Sequence, residues 1–184
     1  TIASNNSLST SLAKPDDVVT ITFFTSEEAQ TPTATIATEA SSETNANGDQ
    51  LSWTATKTMD ADDANGTVAF TIDYYDLAGN QGTQATAVLS GSNVTYDRTD
   101  PAANSITVAS SNSNSANYAM DGDVVSVTIN TSEDLQSNAG LSPYGISSAS
   151  IAGQSISVGN ISAIAANQWK ISYTLDGTET DGAS

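Results

Sequence analysis

The sequence predicts an all-β protein: antiparallel β-sandwiches in tandem, the second one incomplete in this chain. Three observations carry that prediction. The chain repeats itself, residues 1–28 matching residues 107–134 at a constant offset of 106 with 14 of 28 positions identical. The match resumes at offset 116, pairing Trp53 with Trp169, Thr58 with Thr174, Asp60 with Asp176 and Gly66 with Gly182. A period of about 100 residues is too long for a solenoid unit and is the length of a whole sandwich domain. Apolar residues also alternate in short runs rather than at helical spacing. Between the runs lie Asn47-Gly48-Asp49, Asn65-Gly66 and Ala78-Gly79-Asn80, residues that favour tight turns.

Taken in order, repeat 1 places a first strand near residues 1–4 and a second at 17–24. In the second, Asp17-Val18-Val19-Thr20-Ile21-Thr22 recurs as Asp123-Val124-Val125-Ser126-Val127-Thr128. A third is expected near 33–38, a short fourth within 40–47 and a fifth at 51–58 around Trp53. The sixth spans 67–76, where Val68, Phe70 and Ile72 share a face. The seventh falls within 83–96. Asp76-Leu77-Ala78-Gly79-Asn80 reads as a turn, since Asp bonds backbone two residues on while Gly and Asn tolerate positive φ. The expected core is Val19, Ile21, Phe23, Trp53, Val68, Phe70 and Ile72, with Trp169 matching Trp53 in repeat 2.

The domains are then 1–100 and 101–184, with an insertion of ten residues in repeat 2 between Leu135 and Asn167. Repeat 2 stops at Ser184, the counterpart of Val68, and so lacks its last two strands. The expectation is a window from a longer tandem array, or else a subunit whose missing strands come from a neighbour by strand addition.

Composition excludes whole classes of function. Lys plus Arg number 4 against 21 Asp plus Glu, a net charge of −17, so phosphate backbones and anionic membranes are repelled. There is no Cys and no His, which removes disulfides, thiol nucleophiles, the commonest general base and the commonest transition-metal ligand. Apolar runs are only a few residues long, too short to insert into a bilayer. No nucleophile has a base partner and no Gly-rich phosphate loop follows a strand, so the chain is read as no enzyme. Ser, Thr, Ala and Asn number 27, 25, 26 and 15, half the chain. Short polar side chains without cysteine suit an oxidising, salty exterior, and the localisation read from this is extracellular.

The series Asp-Val-Val-x-(Ile/Val)-Thr, then Ser-Glu, then a Trp-bearing strand, then Tyr75-Asp76-Leu77-Ala78-Gly79-Asn80, resembles the bacterial immunoglobulin-like (Ig-like) repeats of large cell-surface adhesins. Tyr96-Asp97-Arg98-Thr99-Asp100-Pro101 is similar to the Asp-x-x-x-Pro junction between such repeats. The resemblance covers repeat 1 and about three quarters of repeat 2. It implies Ig-like sandwiches serving as extracellular stalk segments, often stiffened by calcium at their junctions.

Calcium takes six to eight oxygen ligands and needs neither His nor Cys. The candidate ligands at one pole of the sandwich and its junction are Asp17, Asp62, Asp63, Asp97 and Asp100, with Glu133 from the next repeat. The competing reading is a solvated acidic hinge; in repeat 2 Asp62 and Asp63 align with Thr178 and Glu179. A Lys–Asn crosslink has no shared position, because Lys57 aligns with Tyr173. The expected role is a structural spacer whose partners are neighbouring repeats or subunits. The rivals are a filament subunit completed by strand addition and a glycan- or protein-binding module using residues 135–167 of repeat 2, around Gly140–Gly145.

Overall fold

The computed structural model describes residues 1–135, 146 and 148–179. The chain divides into two compact units, Thr1–Thr99 and Asp100–Ser184. Unit 1 contains β1 (Ile2–Ser4), β2 (Leu12–Ala13), β3 (Val18–Phe24), β4 (Thr33–Ile36), β5 (Glu39–Ala40), β6 (Ser42–Asn45), β7 (Ser52–Thr58), β8 (Gly66–Thr67), β9 (Phe70–Asp73) and β10 (Thr95–Tyr96). Unit 2 contains β11 (Ala103–Ser110), β12 (Val124–Thr131), β13 (Ser150–Ile151), β14 (Gln154–Ser155), β15 (Ile161–Ala165) and β16 (Gln168–Thr174). Among the described residues there is no α-helix, and a single 3-10 turn spans Val158–Asn160. The protein is all-β.

Unit 1 is a two-layered sandwich. One layer is a four-stranded antiparallel sheet in the order β1-β3-β7-β6. The other is built from β5-β4-β9 and β2-β10-β8, two three-stranded pieces joined through the continuous stretch 66–73. Every pairing in unit 1 is antiparallel except β2 with β10, which run parallel with Leu12 opposite Thr95 and Ala13 opposite Tyr96. Alternation sets the core. Ile2, Val19, Ile21, Ile36, Ala55, Met59, Val68, Phe70, Ile72, Val94 and Tyr96 fill the space between the layers, with Phe23 half-buried at its margin. Trp53 is buried as well, opposite Phe23 in the ladder. The expected inward faces therefore hold, apart from the partial exposure of Phe23.

The expected last strand of repeat 1 is far shorter than 83–96. Thr95 and Tyr96 pair as a strand, and Ala85 makes one bridge to Ile72. The residues between carry Ser90-Gly91-Ser92-Asn93, with Gly91 at φ 89°, so the backbone leaves the sheet before returning. Two short strands, β2 and β5, were not legible, since a two-residue strand leaves no periodicity.

Unit 2 repeats the strand order of the first layer and the register of its matching pairs. Its sheet runs β11-β12-β16-β15, and Val108 faces Val127 as Ile2 faces Ile21. Ile129 faces Trp169 as Phe23 faces Trp53. The second layer differs: alongside this sheet, the described residues form the two-stranded hairpin β13–β14. Burial records the consequence. Ile2 is 6% exposed whereas its counterpart Val108 is 64% exposed. Among the described residues the second core is correspondingly small, with Ile151, Ile161 and Ile171 buried at its centre.

Candidate functional site

The most unusual chemistry in unit 1 lies where β7 turns back at the end of the sandwich. Strand β7 points Trp53, Ala55 and Lys57 inward by its period of two, so an ammonium is delivered to an interior position. Lys57 Nζ donates to Asp63 Oδ2 at 2.5 Å, and both side chains are almost wholly buried. Glu39, half-exposed, stands 3.4 Å from the same nitrogen. Asp63 Oδ2 also accepts the backbone N–H of Asp60 at 2.9 Å, while Oδ1 is buried with no hydrogen-bond partner among the described residues. From the opposite layer, the Tyr96 hydroxyl donates to the Asp60 carbonyl at 2.5 Å. Burial, then the negative charge of Asp63, pushes the Tyr96 phenol above its ordinary value of 10.0.

Repeat 2 rebuilds this corner with different chemistry. Lys57 and Asp63 align with Tyr173 and Glu179, so a phenol and a carboxylate stand where unit 1 has an ammonium and its acid. The Glu179 bond, then burial, pushes the Tyr173 hydroxyl up to about 12. Both members change together, and the Glu179 carboxylate accepts the backbone N–H groups of Asp176 and Gly177. Sequence reading missed the corner as a pair; the available signal was Lys57 at an inward position of an alternating strand, where an acid is needed to neutralise it.

The expected calcium ligands fall into different environments. Asp17 Oδ2 accepts from Asn6 Nδ2 at 2.7 Å and from the Lys14 N–H at 2.9 Å. Asp123 makes the same two bonds, to Asn112 Nδ2 at 2.8 Å and the Met120 N–H at 2.9 Å. This carboxylate organises the loop ahead of the second strand in both repeats. Asp63 is engaged by Lys57 as described. Asp62 is exposed, and its N–H donates to Asp60 Oδ1 at 2.9 Å. Asp97 is exposed and caps its own turn, Oδ1 accepting the Thr99 N–H at 2.9 Å. Asp100 is exposed, and Glu133 is half-buried with its carbonyl accepting from Thr131 Oγ1 at 2.5 Å. Among the described residues no three acids are grouped as a metal would require. Of the 135–167 segment, residues 136–145 and 147 lie outside the described residues, and Gly140–Gly145 with them.

Replacing Asp17 by Ala leaves the Lys14 N–H and the Asn6 amide without their charged acceptor. The expected cost is about 1–2 kcal/mol, the lower range for a hydrogen bond to a charged group that is partly solvated. Urea denaturation of Asp17→Ala checks it, and Asp17→Asn should recover part of the loss by keeping one acceptor oxygen.

The Asp76–Asn80 segment is a closed turn. Asp76 Oδ1 accepts the Asn80 N–H and Oδ2 the Asn80 side-chain amide, both at 2.7 Å. Gly79 sits at φ 93°, which a side chain would strain. These bonds, the Asn80 side chain first, hold the Asp76 carboxyl below its ordinary value of 3.8. Beyond this turn Tyr74 lies flat on Gly82, where a Cβ would come within 2.1 Å of the ring. An apolar groove of about 540 Å³ opens beside it, between Ile21–Ser26 on one wall and Phe70, Ile72, Tyr74 and Val88 on the other.

Compared with protein-family models, with curated proteins and with solved structures, the chain has no match.

Proposed function

We propose that this chain consists of non-catalytic spacer repeats, Ig-like sandwiches of an extracellular adhesin or surface fibre. The observation that carries the reading is the duplicated framework. Ile2–Ile21 and Val108–Val127 share a register, and Asp17 and Asp123 make the same pair of loop bonds. What is duplicated is scaffold, which length requires, whereas a binding site needs one copy. The strand order of unit 1, in which β1 joins one layer beside β3 and β2 the other beside β10, supports the Ig-like assignment. Glycan-array and pull-down measurements test the role. No specific binding is expected, and binding that disappears on deletion of residues 140–145 would overturn it in favour of a binding module.

A second reading, a filament subunit completed by a neighbour's strands, is favoured by the exposed inner-face residues of unit 2, Ile106 and Val108. Mass spectrometry of the native protein separates the two, since the filament reading requires a subunit mass near that of this chain. Calcium enters the spacer reading through the exposed carboxylates of Asp62, Asp97 and Asp100; Asp17 and Asp63 are engaged by the Asn6 amide and the Lys57 ammonium, while Asp97 holds the Thr99 N–H at one oxygen. Millimolar calcium added to the chelated protein is expected to raise its melting temperature, since a ligand bound by the folded state alone stabilises it. An unchanged melting temperature removes calcium from the proposal.

A further inference from the structure

Two asparagines of unit 1 are followed by glycine, in Asn47-Gly48 and Asn65-Gly66. That dipeptide carries its own chemistry. A glycine, having no Cβ, lets its backbone nitrogen reach the side-chain carbonyl carbon of the asparagine before it. Attack forms a bond from that nitrogen to Cγ. The Cγ–Nδ2 bond breaks, and the amide nitrogen leaves as ammonia with the proton that the glycine nitrogen gives up. Water then opens the cyclic imide at either carbonyl, leaving aspartate or, where the chain now runs through the side chain, isoaspartate. Water is the only co-reactant, so the fold sets the rate through the freedom of the two reacting groups.

Both asparagines are exposed, so access to water does not separate them. Their bonds do. Asn65 Oδ1 accepts the Arg98 N–H at 3.0 Å and Asn65 Nδ2 donates to Thr99 Oγ1 at 2.7 Å, which fixes both ends of the amide. Gly66 pairs with Tyr96 in the β8–β10 ladder. The Val68 N–H donates to the Val94 carbonyl at 2.9 Å, so by the alternation of an antiparallel pair the Gly66 N–H also points at β10. Asn47 lies in the turn from β6 to β7, where both groups are looser. Gly48 sits at φ 72° with open space where a Cβ would stand. Its N–H has no hydrogen-bond partner among the described residues. The turn is closed by its neighbours instead: Asn45 Oδ1 accepts the Asp49 N–H at 3.2 Å, and Asp49 Oδ1 accepts the Leu51 and Ser52 N–H groups, both at 2.9 Å. The Asn47 amide is held by one bond, from Nδ2 to Ser52 Oγ at 3.2 Å. Unit 2 makes the equivalent turn, from β15 to β16, with Ala166 and Asn167 and no glycine after the asparagine, so the connection does not require Asn-Gly.

We propose that Asn47 is a self-modification site, converting to aspartate and isoaspartate through the imide with Gly48, while the fold preserves Asn65. The product works against its surroundings. A carboxylate at position 47 has no N–H to offer Ser52 Oγ, and it adds a negative charge to the turn whose Asp49 Oδ2 already accepts from that same hydroxyl. Isoaspartate also adds a methylene to the main chain between β6 and β7, next to the Asn45–Trp53 pair. Strand β6 is the edge of its sheet, so its pairing with β7 is the part that loosens. The change runs one way, and the turn weakens progressively with the age of the molecule.

The test holds the full chain in mildly alkaline buffer at physiological temperature and follows both sites by peptide-mapping mass spectrometry, with isoaspartate separated from aspartate by chromatography. Asn47 should convert at least about tenfold faster than Asn65, the difference between a free turn and a closed ladder. In urea, where neither turn nor ladder exists, the two Asn-Gly pairs should convert at comparable rates. Thr99→Ala, which releases one end of the Asn65 amide, should speed conversion at Asn65 and leave Asn47 unchanged. Asn47→Gln should abolish conversion there, since its longer side chain closes a less favourable ring, and should stop the fall in melting temperature that ageing brings to the unaltered chain. Comparable rates at the two sites in the folded chain would overturn the proposal. So would a preference for Asn47 that persists in urea, because sequence rather than fold would then set it.

Discussion

Replacing Asp63 by Ala is expected to destabilise unit 1 by about 3–5 kcal/mol, the cost of leaving a buried charge without its partner. Lys57 and Asp63 are both buried and 2.5 Å apart, and Glu39, half-exposed at 3.4 Å, is too solvated to replace the lost carboxylate. The second Asp63 oxygen has no partner among the described residues, so the acid's compensation rests largely on Lys57 and the Asp60 N–H. The double variant Lys57→Met with Asp63→Leu should be more stable than either single variant, since an apolar pair of similar size carries no desolvation penalty. Denaturation followed by Trp53 fluorescence in a Trp169→Phe background reads this directly. A change below about 0.5 kcal/mol in Asp63→Ala would show that the ammonium finds water instead.

The same pair fixes the sign of the pH response. Burial works against the Lys57 ammonium, but the Asp63 hydrogen bond and charge, followed by those of Glu39, outweigh it and hold Lys57 above its ordinary 10.5. A group raised on folding contributes stability that is complete below its unfolded value and is lost as pH climbs through its folded value. Tyr96, raised above 10.0, has the same sign. Unit 1 should thus lose stability on the alkaline side, from about pH 10 upward. Asp63→Ala should show a smaller alkaline loss than the unaltered protein.

Tyr96→Ala is the second large effect, about 3–5 kcal/mol, as for other large aromatic side chains emptied from a core. Tyr96 is fully buried on β10, between β2 and β8, and its hydroxyl crosses the layer gap to the Asp60 carbonyl. Tyr96→Phe separates the terms: the ring remains and the carbonyl loses its donor, for about 1–2 kcal/mol. If Phe costs as much as Ala, the hydroxyl rather than the ring holds the corner together. Thermal melts of the two variants decide it.

The long strands were legible because period-two alternation and repetition reinforce one another. Val19, Ile21, Val68, Phe70 and Ile72 all face the core as their spacing implies. Asp17 was found as a repeated acid, but its neighbours Asn6 and Lys14 lie across a loop, and linear sequence does not reveal which donors a loop brings to a carboxylate. Asp63 was grouped with Asp62 by adjacency, yet one is buried and the other exposed, because the turn after Met59 points them in different directions. The short last strand was not legible since Ala85–Ser90 has strand-like composition, yet no strand forms between the Ala85 bridge and Thr95.

The parallel pairing of β2 with β10 has a mechanical consequence. These strands lie near the two ends of unit 1, and the Thr95 and Asp97 N–H groups donate to the Ser11 and Ala13 carbonyls, both at 2.9 Å. Tension on the chain ends would drag two strands of the same direction past each other along their length. The bonds between them then stretch together, in shear, instead of opening one after another as a hairpin does when peeled from its end. A patch of two residues on each strand is enough to act as a clasp, because yielding requires its bonds to fail at once. Tyr96, seated behind that clasp with its hydroxyl anchored to the far layer, ties the load to the core.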